Sequence, residues 1–345
     1  MVTSSGKRQQ TERSHWRYTR RLSIGLAALF LFLGMLASLS FGAADIPFNR
    51  ILTAFTSFDD STEHIIIRSM RLPRTLIASM VGASLAVAGA LMQGLTQNPL
   101  AAPGILGINA GAALAVVALV FGFGTSEPSL IALVAFFGAL VAAVTVYFFG
   151  SLGAGGATPL NLTVAGAALT ALLSSLTAGV LILSERTLEE VRFWLAGSLA
   201  GRDLNLFLTV LPWMLVGLVT AFALGRQINA LSLGESVAAG LGQRTAWVKA
   251  ATTINVVVLA GSAVALAGPI GFVGLVVPHL VRGVIGVDYR WIIPSAAVLG
   301  AAMLVWADVA SRWILRPQEL PVGVMTALLG APFLLYLVRW QVKRG

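Results

Sequence analysis

The sequence predicts an all-α, polytopic membrane protein of about ten transmembrane helices, and three observations support this fold class. Of the 345 residues, 57% are hydrophobic and only 11% are charged, whereas soluble domains carry roughly 25% charged residues. The mean hydropathy is +0.87 over the whole chain. The apolar residues are also gathered into runs of about 20, the length that crosses a bilayer core of ~30 Å.

Ten such runs follow one another along the chain. They cover residues 22–41, 75–93, 105–123, 129–150, 161–183, 207–225, 247–267, 270–287, 292–312 and 321–340. The run 270–287 has the least defined boundaries, because Pro269, Pro278 and Arg282 interrupt it. The first run is longer than the apolar part of a signal peptide, which indicates an uncleaved first span.

The runs divide the chain into three parts: a basic N-terminal tail, 1–21, one transmembrane domain, 22–340, and a short C-terminal tail, 341–345. With both termini on one side, that side holds fourteen of the 23 basic residues and only three of the 14 acidic residues. Because cytoplasmic loops carry the excess of Lys and Arg, both termini are predicted to be cytoplasmic. The high pI of about 11.0 then reflects topology, so the expected partner is the lipid bilayer and not nucleic acid.

The two halves of the chain carry a weak internal repeat. A shift of 179 residues superposes three helix-breaking residues on residues of the same type: Pro99 on Pro278, Gly104 on Gly283 and Gly107 on Gly286. The copies begin in spans two and seven, an offset of five spans, and an odd offset would invert spans 2–5 relative to spans 7–10. Inverted repeats with paired helix interruptions are typical of transporters. An ordinary interhelical turn is the alternative for each interruption.

The paired interruptions are predicted at 97–107 and 277–286, where irregular backbone must be buried in protein or face water. We expect them to form a helix-break and translocation region containing Asn98, Pro99, Pro103, Gly104, Pro278 and His279. His279 lies in an apolar run, so a packed histidine is favoured over a ligand. The turn at 155–163 is a further candidate for a gate.

The sequence offers no energy source of its own. The span centres hold almost no charge, and the exceptions, Arg282 and Asp308, lie towards span ends. Asp308 is predicted to pair with Arg312 four residues later. There is no cysteine, no P-loop and no metal-site spacing of the three histidines, so neither a metal nor a cofactor is expected. A proton-coupled carrier would need a buried titratable group, and an intramembrane enzyme would need paired catalytic groups. A transporter driven by a partner ATPase is the favoured interpretation.

The cytoplasmic segment 226–249 is the candidate docking site for that partner. Ser232 and Glu235 have the spacing of a capping box, and Gly240 or Gly242 can end a short helix. Its small apolar face would be formed by Val237, Ala238 and Leu241. The pattern alone fits equally well a helix that contacts a soluble partner and one that packs on its own bundle.

On the outer side, Arg68, Arg71 and Arg74 precede span two, where cations oppose the helix dipole. Arg312 and Arg316 lie near the outer end of span nine. Acidic partners are expected for these arginines. The candidates are lipid phosphate, a docking protein and the nearby acids Asp59, Asp60 and Glu63.

Four stretches resemble the FecCD-type permease family, which supplies membrane subunits of type II ABC importers for iron–siderophores, haem and cobalamin. They are "RLPRTLIASMVGASLAVAGALMQGLTQNPLAAPGILGINAGA" (71–112), "LSLGESVAAGLG" (231–242), "GPIGFVGLVVPHLVR" (268–282) and "ELPVGVMTALLGAPFLLYLV" (319–338). The resemblance covers residues 22–340 in order. It implies a multi-pass permease domain in the bacterial cytoplasmic (inner) membrane, and it favours a ferric siderophore as cargo, with cobalamin or haem as the alternative.

The same resemblance implies partners and site residues. The partners are a second permease subunit, identical or paralogous, two ATP-binding cassette ATPases and an extracytoplasmic substrate-binding protein. The outer motifs place binding-protein docking on Arg71, Arg74 and Arg312, and no motif covers Arg68 or Arg316. The segment after span six matches the ATPase-coupling helix, with Ser232, Gly234, Glu235, Ala238, Leu241 and Gly242. ATP hydrolysis would belong to the partner, so the chain itself is not expected to be an enzyme.

Overall fold

The computed structural model describes residues 3–42, 45–152 and 158–342. Over these residues the chain forms α-helices without strands. The helices are α1 (Thr3–Ser40), α2 (Phe48–Thr56), α3 (Thr62–Ile66), α4 (Leu72–Thr96), α5 (Ile108–Phe123), α6 (Pro128–Ser151), α7 (Pro159–Leu183), α8 (Glu185–Leu195), α9 (Leu204–Leu231), α10 (Glu235–Gly240), α11 (Thr245–Ala267), α12 (Val273–Ile285), α13 (Tyr289–Trp313) and α14 (Val322–Val342). One π-helical turn, Ile67–Arg71, joins α3 to α4.

Each of the ten predicted runs corresponds to one apolar helix. Seven helical segments among the described residues are long and apolar enough to cross a membrane: Arg20–Ser40, Thr62–Thr96, Pro128–Ser151, Pro159–Leu183, Leu204–Leu231, Thr245–Ala267 and Tyr289–Trp313. The other three runs form shorter apolar helices: Ile108–Phe123, Val273–Ile285 and Val322–Leu337. The predicted polytopic, all-α fold class is therefore confirmed.

The core is built around α4 and α11, the two helices that begin the predicted repeats. Most of their residues are buried. Helix α4 packs against α13, and α11 packs against α6. The predicted inverted repeat would make these two contacts equivalent, since α6 and α13 are spans four and nine. Small residues permit the close approach: a Cβ at Gly82 would lie 2.2 Å from the carbonyl oxygen of Gly300.

The first predicted helix break is present. Helix α4 ends at Thr96, and Gln97 adopts a left-handed conformation with φ of 51°. The chain then passes through a 3₁₀ turn, Pro103–Leu106, before α5 begins at Ile108. A single turn of this kind satisfies part of the backbone hydrogen bonding that an interrupted helix leaves free.

The second predicted break, at 277–286, is wrong in position. Helix α12 runs continuously through Pro278, and the interruption lies before it, at 268–272. There Gly268 has φ of 71° and Phe272 has φ of 67°. Because Pro278 has no N–H, the carbonyl of Gly274 has no helical donor. That carbonyl instead packs against Gly89 of α4, where a Cβ would lie 1.7 Å from its oxygen.

The two ends of the bundle differ in charge. The end that carries Arg226, Arg244 and Arg290 is called the basic end here, and the end that carries Asp45 and Glu127 the acidic end. Helix α8, which the apolar runs did not predict, lies at the acidic end after α7. Of the predicted N-terminal tail 1–21, the backbone is helical from Thr3. Residues 155–157 of the gate candidate and 343–345 of the C-terminal tail lie outside the described residues.

Candidate functional site

Helix α10 lies at the basic end between α9 and α11, inside the segment predicted for ATPase coupling. The predicted capping box is not formed. Helix α9 continues to Leu231, so Ser232 is its C-cap, and the Ser232 hydroxyl donates to the carbonyl of Asn229 at 2.8 Å. The N-cap of α10 is Gly234, with φ of 112° and no capping side chain.

Glu235 binds the start of α11 and takes no part in capping. Its carboxylate accepts a hydrogen bond from the Lys249 ammonium at 2.6 Å and one from the Thr245 hydroxyl at 3.2 Å. The bond from Lys249 lowers the pKa of Glu235 below its usual value. Glu235 therefore fixes the short helix to α11 as a charged side chain.

The C-terminus of α10 ends in a Schellman motif. The Gln243 amide donates to the Ala238 carbonyl, and the amide of Gly242, whose φ is 82°, donates to the Ala239 carbonyl. The prediction that Gly240 or Gly242 ends the helix is thus met by Gly242. A side-chain hydrogen bond from Gln243 to the Gln227 carbonyl, 2.9 Å long, ties this cap to α9.

The predicted apolar face of α10 is divided. Ala238 is fully buried against the bundle, whereas Val237 and Leu241 are exposed, Leu241 by 70%. Leu233, just before the helix, is exposed as well. Val237 lies within the helix, Leu233 one residue before its N-cap and Leu241 at its C-cap, so the three form a short exposed apolar segment. We call these three residues the α10 stripe.

The first helix break lies close to the segment that leads into α10. The Gln97 side chain donates to the Leu231 carbonyl at the end of α9, over 2.9 Å. The Asn98 side chain accepts from the Leu100 amide at 2.9 Å and shapes the turn. Pro99 and Gly104 are exposed, and Pro103 is buried. The break and the stripe are therefore connected through the last turn of α9.

The buried end of the break contacts α12. A Cβ at Gly274 would lie 3.0 Å from the Pro103 side chain, so Pro103 packs against α12, the helix that contains the predicted residue Pro278. His279 stacks edge-on against Phe333 of α14, with ring centroids 6.0 Å apart. This contact agrees with the prediction of a packed histidine.

At the basic end, an arginine network joins α12 to α4 and α13. The sequence did not predict this network. The Arg282 guanidinium donates to the Gln93 side chain and, at 2.8 Å, to the Tyr289 hydroxyl. The Tyr289 amide donates to the Asn229 side chain of α9 at 2.7 Å. Asn229 in turn donates to the Asp288 carboxylate at 2.7 Å.

Asp288 is the charged member at the edge of this basic-end network. Hydrogen bonds from Arg290 and from Asn229 lower the pKa of Asp288 to about 2. The Arg282 guanidinium binds two neutral partners, the Gln93 side chain and the Tyr289 hydroxyl. The network therefore joins four helices around a cation without a buried carboxylate.

The three arginines predicted for binding-protein docking lie together at the acidic end. Asp308, fully buried, accepts from Arg74 at 2.9 Å and from Arg312 at 3.0 Å. Arg74 also binds Glu319 at 2.7 Å. Arg71 is buried and donates to the carbonyls at the end of α1. The predicted pair of Asp308 and Arg312 is confirmed.

These contacts compensate Arg74 and Arg312 with carboxylates of the same chain, whereas Arg71 binds backbone carbonyls. Arg312 also donates to the Ser38 and Phe41 carbonyls, so α13 and α1 are joined. Arg316 pairs with Asp45 at 3.0 Å. The acids Asp59 and Glu63, considered as partners, bind Arg50 instead. Docking through Arg71, Arg74 and Arg312 stays a prediction.

Helix interruptions inside a bundle of apolar helices are a feature of membrane transport proteins, and this is the class that the geometry indicates. A model of the FecCD transport family matches residues 29–340. The chain belongs to that family and is a multi-pass membrane protein.

Two relatives and one solved structure show the extent of the similarity. The siderophore transport system permease protein YfiZ of Bacillus subtilis is 51% identical over 91% of this chain and 94% of its own length. The ferric enterobactin transport system permease protein FepD of Escherichia coli is 43% identical over 95% and 98%. A metal-chelate type ABC transporter in an inward-facing conformation aligns with a TM-score of 0.81 and 28% identity over 92% of this chain and 98% of that chain.

Proposed function

We propose that this chain is the membrane-spanning subunit of an ABC importer that takes up ferric siderophore and is driven by a separate ATPase. The observation that carries the proposal is the α10 stripe, an exposed apolar surface on a helix that is fixed to the bundle at both ends. The cargo is supported by the two relatives, whose names refer to siderophore and ferric enterobactin transport.

The α10 stripe suits a soluble partner at the basic end. Leu233, Val237 and Leu241 lie outside the bundle, while Ala238 and Glu235 hold the helix against α9 and α11. A surface that moves as a rigid unit can transmit a displacement, because packed elements shift between discrete arrangements. Through Gln97 and Leu231 such a displacement reaches the first helix break.

The partner on the other side would be an extracytoplasmic binding protein. The positive-inside pattern supports an orientation in which the basic end, with both termini, would face the cytoplasm of a bacterium and the acidic end would lie outside its inner membrane. Arg71 and Arg312 are buried, so they would support the docking surface by holding the end of α1 in place. Arg74, whose side chain is 13% exposed beside Glu319, is the one of the three that can reach a carboxylate of a partner.

A second permease subunit would complete the path. Most residues of α7 are exposed although this helix spans the membrane, which leaves a long apolar face for a neighbouring subunit or for lipid. The domain 22–340 then acts as one permease unit. Whether the second subunit is identical or a paralogue does not change this arrangement.

Transport assays with purified components test the proposal. The chain, its ATPase and its binding protein are reconstituted in proteoliposomes, and uptake is followed through the metal of the cargo: iron for ferric siderophore or ferric haem, and cobalt for cobalamin. We expect ATP-dependent uptake of the ferric siderophore and its loss in Leu241→Asp, because a carboxylate in the apolar contact would be desolvated without a partner.

Leu152→Asp is the matched control, since Leu152 is 65% exposed and also follows a helix at the basic end. Its uptake should equal that of the wild type. Uptake under a proton gradient without ATP, or an unchanged rate in Leu241→Asp, would contradict the proposal. Preference for haem or cobalamin would correct the cargo alone.

A further inference from the structure

A groove of about 620 Å³ runs between α6 and α11 on the outside of the bundle. Both helices are long and apolar enough to cross a membrane. Val144 and Ile254, one from each helix, line the groove and are 58% and 64% exposed. From Phe136 to Ser151 the α6 wall rises about 22 Å, at 1.5 Å per residue, whereas one leaflet holds about half of a ~30 Å hydrocarbon core. The groove is therefore long enough for an acyl chain.

The walls of the groove are apolar even where hydroxyl groups occur. The Thr253 hydroxyl donates to the Lys249 carbonyl at 2.9 Å, and the Ser151 hydroxyl donates to the Phe148 carbonyl at 2.7 Å. Both hydroxyls are thus bonded within their own helices. Because polar groups would lose hydrogen bonds against such walls, the groove suits a hydrocarbon chain better than a polar ligand.

The α11 wall of the groove leads to an aromatic ring and a cation at the basic end. Ala250 and Ile254 line the groove, and Trp247 and Arg244 precede Ala250 by three and six residues, so they continue the same side of the helix. Trp247 is 74% exposed, and Arg244, directly before the first residue of α11, is exposed as well. Tryptophan is enriched at the boundary between membrane and water, so this end of the groove has the character of that boundary.

A second arginine adds to the positive charge beside the groove. The Gln243 side chain donates to the Gln227 carbonyl at 2.9 Å, so the adjoining residues Arg244 and Arg226 lie at the same corner of the bundle. Both are exposed. The nearby carboxylate of Glu235 is already bound to a lysine. In the part of the chain that the structure describes, neither arginine has a carboxylate partner.

We propose that this groove binds an anionic phospholipid of the leaflet at the basic end, with an acyl chain between α6 and α11 and the phosphate beside Arg244. Basic pockets between transmembrane helices bind anionic headgroups. A second copy of the chain fits less well, because a two-fold contact presents the same patch on both subunits and would bring like charges together. The inference goes beyond the proposed function and does not depend on it.

Native mass spectrometry of the full chain in mild detergent tests the site. Phosphatidylglycerol is the anionic probe, and phosphatidylcholine with the same acyl chains is the neutral comparison. We expect Arg244→Gln to weaken phosphatidylglycerol binding about fivefold, the effect of one cation at a membrane surface, and to leave phosphatidylcholine binding unchanged. Val144→Trp, whose indole would fill the groove, should weaken the binding of both lipids.

Two matched controls separate the groove from its surroundings. Val141→Trp changes a residue of α6 that is 63% exposed but lines the cavity beside α5. Arg339→Gln removes an exposed arginine of α14, a helix that packs against α12 and α13. Both should bind phosphatidylglycerol as the wild type does, and elution volume and melting temperature report the folding of each variant. Equal affinity of wild type and Arg244→Gln for phosphatidylglycerol would overturn the proposal, as would equal losses in Val144→Trp and Val141→Trp.

The same variants distinguish the other occupants. Loss of a co-purified ATPase in Arg244→Gln, with unchanged phosphatidylglycerol binding, would assign the arginine to the ATPase contact and overturn the lipid site. A dimer mass that Val144→Trp abolishes, again with unchanged lipid binding, would assign the groove to a second copy. The lipid titration contains neither ATPase nor cargo. A failure of ATP-driven transport would therefore contradict the proposed function without altering the lipid titration.

Discussion

The arginine networks at the acidic end and at the basic end satisfy their guanidinium groups with different kinds of partner. At the acidic end, Arg74 and Arg312 share the buried carboxylate of Asp308. At the basic end, Arg282 binds the neutral side chains of Gln93 and Tyr289. Both networks join α4 to α13, so the helix pair is fastened once by charge compensation and once by hydrogen bonds.

This difference in partners indicates which end of the bundle can rearrange at the lower cost in free energy. A buried ion pair that loses a partner leaves an uncompensated charge, so the acidic-end network resists rearrangement. Neutral acceptors can be exchanged for water or for other neutral groups at a smaller cost. The basic-end network lies beside the first helix break and the α10 stripe, where an ATPase would drive a displacement.

The largest effect is expected from Asp308→Asn. The substitution leaves two buried arginines without their shared carboxylate, which should lower the free energy of unfolding by about 3–5 kcal/mol. Thermal unfolding in detergent, followed by tryptophan fluorescence, measures the loss. Glu319→Gln is the control, because this partly exposed partner of Arg74 should cost no more than about 1 kcal/mol. Equal losses in the two variants would contradict the claim that the buried carboxylate of Asp308 holds the acidic-end network together.

An intermediate effect is expected from Arg282→Met. Methionine keeps the apolar stem but leaves the Gln93 and Tyr289 oxygens without their donor, a loss of about 1–2 kcal/mol. The same unfolding assay applies, with Arg226→Met as an exposed arginine control of the same end that should melt with the wild type. A loss as large as that of Asp308→Asn would show that the basic end is fastened as firmly as the acidic end.

The smallest effect is expected from Asp288, which should make the free energy of unfolding depend on pH. The pKa of Asp288 is about 2 in the folded chain and 3.8 ordinarily. Its ionised form therefore stabilises the fold above pH ~4, and this contribution is lost as the pH falls towards ~2. Because Arg290 is exposed and screened, we expect about 1 kcal/mol. Melting curves of wild type and Asp288→Asn should differ at pH 6 and converge at low pH; a constant difference would argue against the linkage.

The sequence was most informative where the partners lie close along the chain. Asp308 and Arg312 are four residues apart on one helix, and their pairing was predictable. The third member, Arg74, lies 234 residues away from Asp308, a contact that depends on the packing of α4 against α13. The same limit applies to Arg282 and Gln93, which no local pattern relates.

The two wrong predictions, the capping box of α10 and the break within α12, have local causes. The capping box at Ser232 was displaced because α9 extends to Leu231 and already uses Ser232 as its C-cap. Pro278 suggested a break, but it lies one turn after the start of α12, where its missing hydrogen bond frees only the Gly274 carbonyl. The actual break depends on the positive φ of Phe272, which its residue type does not favour.

The most direct test of the central claim is purification of the tagged chain from its native membrane in mild detergent, with mass spectrometry of the proteins that co-elute. We predict a P-loop ATPase in the eluate of the wild type and of Leu152→Asp, and its loss from the eluate of Leu241→Asp. A chain that elutes without an ATPase, and that transports its cargo in liposomes under a proton gradient without ATP, would contradict the account.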